Sequence, residues 1–235
     1  MRLRHTLSLI MVILSLPLFL QAQEKSEKLH FNCGLKVGFH AATYNTTVFE
    51  IDGYEYDDRI IQSNKIGYSV SPFIRLSKKR YYIQTEATMS ISRHNFEFNE
   101  ITPKNDKPLE GGSKPEYNLT TYCIQVPLLI GYKFVDSSPY GMSFFTGPKA
   151  KFVFTGHDKQ RFKHFKYTDL EESLRDIVYY WELGFGVKIS NICFDFVYDV
   201  GINSKTNGII SKKSGEKFYS NRSDNLLSFS LGIIF

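Results

Sequence analysis

Catalysis and coordination need side chains that trade protons, attack or donate lone pairs in a fixed arrangement, and this 235-residue chain offers few of them. His40 falls on the polar side of an alternating stretch, while His94, His157 and His164 fall in polar segments read as loops. None has a serine partner that spacing identifies, so no nucleophile and base can be assembled. Cys33, Cys123 and Cys193 cannot all pair and form no Cys-x-x-Cys arrangement; they read as small buried residues, with a disulfide between two of them left open. No metal spacing, phosphate loop or nucleotide fingerprint occurs. The expected catalytic, cofactor-binding and metal-binding sets are therefore empty, no cofactor is expected, and the chain reads as not an enzyme.

What remains is charge placed with a period. Lys36, Arg75, Lys133, Lys149, Lys151 and Lys188, together with Glu86, Glu182, Asp195 and Asp199, lie on the polar side of stretches whose other side is large and apolar. Arg93, near a strand end, is the exception on the apolar side. Isolated charges away from water are costly, so these must pair or be hydrated.

The elements that position them are strands. In residues 225–235, Leu227, Phe229, Leu231, Ile233 and Phe235 alternate with Ser228, Ser230 and Gly232, a period of two broken by Leu226 and Ile234. The same alternation runs through residues 31–44, 66–76, 80–93, 117–134, 142–155, 179–190 and 192–203. The connections alternate long and short: residues 45–65, 94–116, 156–178 and 204–224 are long and polar, whereas 77–79, 136–139 and Asn191 are tight. Within the third long segment, Thr168-Asp169-Leu170-Glu171 is a capping box that predicts a short helix to about Arg175. Pro72, Pro127 and Pro148 inside strands predict bulges, because proline cannot donate to a ladder.

Eight amphipathic strands with all short turns at one end and all long loops at the other predict an all-β, eight-stranded, antiparallel up-and-down transmembrane barrel, with four long extracellular loops and three short periplasmic turns. Strands of roughly 10 to 14 residues suit a tilted span better than a soluble sheet. Tyr122, Tyr179 and Trp181 at the loop ends and Tyr81, Tyr132, Phe134 and Phe144 at the turn ends are placed as aromatic girdles. An eight-stranded barrel is only wide enough to be filled by side chains, so a plugged, ion-paired interior is expected in place of a pore. The soluble alternative, a lipocalin-like barrel, would turn the apolar set inward and the charges outward.

Arg2 and Arg4, the apolar run 7–20 and Gln21-Ala22-Gln23 predict a cleaved signal peptide at residues 1–23, followed by a barrel domain at 24–235. Losing two arginines with it lowers the net charge from +5 to +3, too little to argue for nucleic acid. Export and strand pattern together predict the outer membrane. In the loops, the acidic, aromatic 54–58 run and the basic 159–166 run are candidate contacts for partner proteins or lipopolysaccharide phosphates.

Leu35-Lys36-Val37-Gly38, Tyr82-Ile83-Gln84-Thr85-Glu86, the run from Val126 to Tyr132, Thr146-Gly147-Pro148 and the terminal Leu227 to Phe235 resemble the PorT-like outer-membrane barrel family of Bacteroidetes, and Gln21-Ala22-Gln23 is similar to signal ends found there. The resemblance spans the mature chain and includes Pro127 and Pro148 as family features. It implies a small barrel inserted by the barrel-assembly machinery, which reads a C-terminal aromatic residue, and contacts with outer-membrane lipid and lipopolysaccharide. It also implies a structural, interaction or type IX secretion-accessory role, with secretion-system or surface proteins as partners through the loops. The enzyme alternative is a barrel resembling the lipid A deacylases, whose serine and histidine work on the lipid-facing wall.

Overall fold

The computed structural model describes residues 29–51, 54–55, 61–64, 66–97, 116–154, 159–163, 170–211, 217–218 and 220–235. The expected signal at 1–23, His157, His164 and residues 56–58 lie outside them. Eight strands form the wall: β1 (His30–Ile51), β2 (Gly67–Lys78), β3 in two pieces (Tyr81–Glu86 and Thr88–Glu97), β4 (Glu116–Ser137), β5 (Tyr140–Val153), β6 (Ile177–Ile189), β7 (Ile192–Gly201) and β8 (Ser220–Ile234). Each pairs antiparallel with its chain neighbours, and β1 also pairs with β8, so the sheet closes on itself into a ring.

The register sets the tilt. From Phe31 in β1, directly paired residues lead through Leu76, Ile83, Ile130, Thr146, Leu183, Tyr198 and Leu227, and the path re-enters β1 at Ala41, ten residues further on. A closed eight-strand sheet with such an offset has strands inclined by about 35–45° to its axis. The two faces separate as the alternation predicts. Phe152, Phe194 and Phe229 are 40–46% exposed on the outside, whereas Lys149, Glu182 and Asp195 are 4–7% exposed within. An outer surface carrying this many open aromatic and aliphatic side chains is matched to hydrocarbon and excludes the lipocalin-like arrangement.

The prolines behave differently from expectation. Within the eight wall strands, register shifts occur at Thr46/Val48 and Lys133/Val135, with none at Pro72, Pro127 or Pro148. Pro72 accepts a bond from the Ala87 nitrogen (3.1 Å) but has no N–H to return. On the other side of β3, the Pro127 carbonyl is met by the Thr85 hydroxyl at 2.8 Å. Flanked by two prolines, β3 loses rungs around Ala87 and reads as two pieces without changing register.

The long segments are also more ordered than a loop reading allows. The ladders of β1, β3, β4 and β8 continue beyond the predicted strand ends, and Lys159–Lys163 adds to β4 as a further strand. Part of the basic run 159–166 is therefore sheet. Leu170–Leu174, predicted as helix, is a strand paired with Thr206–Ser211, which in turn pairs with Lys217–Phe218. The three cysteines are free, so no disulfide forms between any two of them.

One glycine marks where two strands press together. Between Pro127–Lys149 and Ile130–Thr146 the β4–β5 pairing is interrupted, and a Cβ on Gly147 would sit 2.0 Å from the Leu128 carbonyl oxygen. That oxygen is backbone and cannot rotate aside. Gly147→Ala should therefore cost about 1–3 kcal/mol, while Gly141→Ala, whose Cβ would meet nothing nearer than 3.5 Å, should fall within about 0.5 kcal/mol of the parent protein. Urea unfolding in phospholipid vesicles, followed by the fluorescence of the single tryptophan, Trp181, checks this; equal midpoints for the two variants would refute the close approach.

Candidate functional site

The site that this wall builds is its interior. Seen from the short-turn end, the first feature is a relay of charges and amides: Arg75 Nε donates to Gln84 Oε1 (2.6 Å), and Gln84 Nε2 donates to Glu86 Oε1 (2.6 Å). Glu86 is in turn an ion-pair partner of Lys36, whose Nζ lies 2.7 Å from Asp195. Phe73 packs beside this lysine, the ammonium lying 4.7 Å from its ring centre. A second triad follows, with Lys149 held between Glu182 (2.9 Å) and Asp199 (2.5 Å). Apolar residues fill the gaps, Phe73 with Cys193 and Ile234, and Tyr82 with Leu129 and Phe145.

Each triad places one lysine between two carboxylates and so carries one excess negative charge. Arg75 beside the first and Lys151 beside the second offset that excess; Lys151, fully buried, points at the Tyr180 ring from 5.6 Å. Lys205 and Asp224, 3.6 Å apart, add a balanced pair. The lumen thus approaches neutrality, the condition under which charges survive in a medium of low dielectric constant. Sequence alternation correctly assigned Lys36, Arg75, Lys149, Lys151, Glu86, Glu182, Asp195 and Asp199 to this interior. Lys133 and Lys188 sit at its rim, half-buried and exposed, with Lys133 3.7 Å from Asp136.

One histidine departs from its expected placement, and another, inward as expected, gains a partner. His94 is a buried residue of β3 and not a loop residue. His40 does have a serine partner: its Nε2 is 2.8 Å from Ser92 Oγ, two strands away. The contact exists because Gly67, paired with His40 on the intervening β2, has no side chain; a Cβ there would lie 2.3 Å from the imidazole nitrogen. A glycine facing a histidine on the polar side was the signal for it. Both partners are buried inside the wall, away from the lipid face on which a deacylase pair would work.

At the long-loop end the interior is covered. The strand Leu170–Leu174 is tied to the wall through Glu172, which accepts from Tyr117 (2.5 Å), and through reciprocal bonds between its backbone and the Gln160 amide (2.7 and 2.8 Å). Lys205, just before the strand Thr206–Ser211, reaches Asp224 of β8, which also accepts from Tyr180 (2.5 Å). Leu174 and Ile209 are buried beneath. The two loop segments therefore act as a cap held by polar links.

Residues 21–207 match the family model described as outer membrane protein beta-barrel domain. In structure the chain is similar to the outer membrane protein OprG from Pseudomonas aeruginosa, with a TM-score of 0.52 and 12% identity over 88% of this chain and 97% of that one. It also aligns with Ail, the attachment invasion locus protein of Yersinia pestis, solved in complex with the heparin analogue sucrose octasulfate, with a TM-score of 0.42 and 12% identity over 88% and 99%. At such identities the likeness concerns the fold. No curated protein matches the sequence.

The triads generate a two-part expectation. Lys149→Met strands Glu182 and Asp199 together and should cost about 3–5 kcal/mol, whereas Lys149→Met combined with Glu182→Gln and Asp199→Asn should recover most of that loss. Urea midpoints of the folded band on unheated gels measure both. A triple variant no more stable than the single one would show that the cost is one of packing.

Proposed function

The chain belongs to the outer membrane protein beta-barrel domain family, and on that footing we propose that it is a closed, non-catalytic barrel whose capped long-loop end contacts other molecules at the cell surface. The observation that carries this reading is the filled lumen: two lysine–carboxylate triads and their compensating cations occupy the interior, and the paired loop strands are tied to the wall at the long-loop end through Glu172 and Lys205. Such an interior favours a role at the rim over one in transport. In planar bilayers at molar salt, the purified protein should give no steady conductance; regular openings would sink the proposal.

The finer reading is a PorT-like barrel with an accessory part in type IX-like protein secretion, inserted by the barrel-assembly machinery and contacting lipopolysaccharide and secretion or surface proteins through its loops. The motifs from Leu35 to Gly38, Val126 to Tyr132 and Thr146 to Pro148 support it. Deleting the gene should deplete the medium of exported proteins while leaving the membrane proteome otherwise intact, and an unchanged secretome counts against it.

The His40–Ser92 contact supports a competing hydrolytic reading, because a histidine-bonded hydroxyl is the element of a nucleophile. Burial on the inner wall argues against it. A fluorophosphonate probe should leave the protein unlabelled; labelling that disappears in Ser92→Ala would establish the enzyme instead.

A further inference from the structure

The short-turn end of the lumen, opposite the cap, contains a cavity of about 50 Å³ whose lining includes Asn32, Arg75, Ser77, Lys133, Ser143 and Lys188. The acids of its wall are Asp136 and Asp195. Asp195 is bound to Lys36 at 2.7 Å and Asp136 lies 3.7 Å from Lys133, which leaves Lys188 without a carboxylate partner among the described residues and Arg75 without a direct one, its link to Glu86 running through Gln84.

Arg75 is fixed from behind. Its guanidinium carbon lies 4.3 Å from the Tyr82 ring centre and 5.7 Å from that of Phe73, and its Nε is spent on Gln84. The side chain is only 8% exposed, yet among the described residues its two terminal nitrogens donate to nothing. The Ser77 hydroxyl, 1% exposed on the same lining, also has no hydrogen-bond partner among the described residues. A buried hydroxyl left unmet is costly, and a guanidinium whose terminal nitrogens are not sealed in presents its remaining N–H groups as a planar fork matched to two oxygens of one anion.

We propose that this cavity binds a small oxyanion of the phosphate type, taken up from the periplasmic side on which the short turns of an outer-membrane barrel lie. Stacking on Tyr82 and Phe73 holds the fork in one plane, Ser77 supplies a hydroxyl, and Lys188 at the rim adds the charge that draws the anion in. Size sets the class of ligand. A water needs about 10–15 Å³ of such space, so the cavity takes a few waters or one tetrahedral oxyanion, and any larger ligand must leave the rest of itself outside the turn-end opening.

The test uses the full chain purified from membranes in a maltoside detergent, because phosphate-bearing detergents would compete. Calorimetric titration with inorganic phosphate, against chloride at equal ionic strength, should show saturable binding. Arg75→Gln should weaken it roughly tenfold, the loss of one charge-assisted contact, and Lys188→Gln by a smaller factor. Lys78→Gln, outside the cavity, should leave it unchanged. If Arg75→Gln fails to give the compact band on unheated gels, the exposed Lys188→Gln decides. Glycerol phosphate separates the sources: preference for it assigns the site to a lipid headgroup, and equal or weaker binding assigns it to free phosphate. Absence of phosphate-selective binding, or equal binding by the parent and both cavity variants, overturns the proposal.

Discussion

A lysine held between two carboxylates, in a space with no room for bulk water, is the interaction on which the rest of this molecule depends. The two triads are not local. Lys36, Glu86 and Asp195 come from β1, β3 and β7, and Lys149, Glu182 and Asp199 from β5, β6 and β7. Asp195 and Asp199 share one face of β7 because they are four residues apart on a strand of period two. That single strand therefore fastens both opposite walls to itself. The outward apolar set follows from the same constraint, since every polar side chain sent inward leaves its neighbours facing hydrocarbon.

Alternation by itself makes the wall legible. Lys149 and Lys151 on one strand and Asp195 and Asp199 on another announce a polar face, and Phe194, Phe196, Phe229 and Leu231 announce the other. Which lysine meets which acid was not legible. A ten-residue offset around the ring brings together side chains whose separation in sequence carries no periodic mark, and the His40–Ser92 contact across Gly67 is of that kind.

The loop ends were misread for a different reason. Thr168 to Glu171 carries a valid local signature for a helix start, yet Leu170–Leu174 finds a partner in Thr206–Ser211 some thirty residues later. Strand pairing is decided by the available partner more than by intrinsic preference. Likewise Lys159–Lys163 is sheet because β4, running on to Glu116, offers it an edge. Polar composition said only that these segments face water. The ties through Glu172, Lys205 and Asp224 then turn what composition calls loop into a lid anchored by charge and hydroxyl groups.

The wall does not resist sideways strain evenly. The closure between β1 and β8 is continuous from Gly34–Ile234 to Thr46–Arg222 and resumes after one shift to end at Phe49–Ser220, although no covalent link joins those strands. Around Ala87, by contrast, the prolines of both neighbouring strands accept bonds from β3 but have no N–H to return to it. Lateral compliance is concentrated there, beside Glu86 and the first triad. A barrel squeezed by a change in bilayer thickness would yield first along this line, and the closure formed by its first and last strands would be among the last places to give.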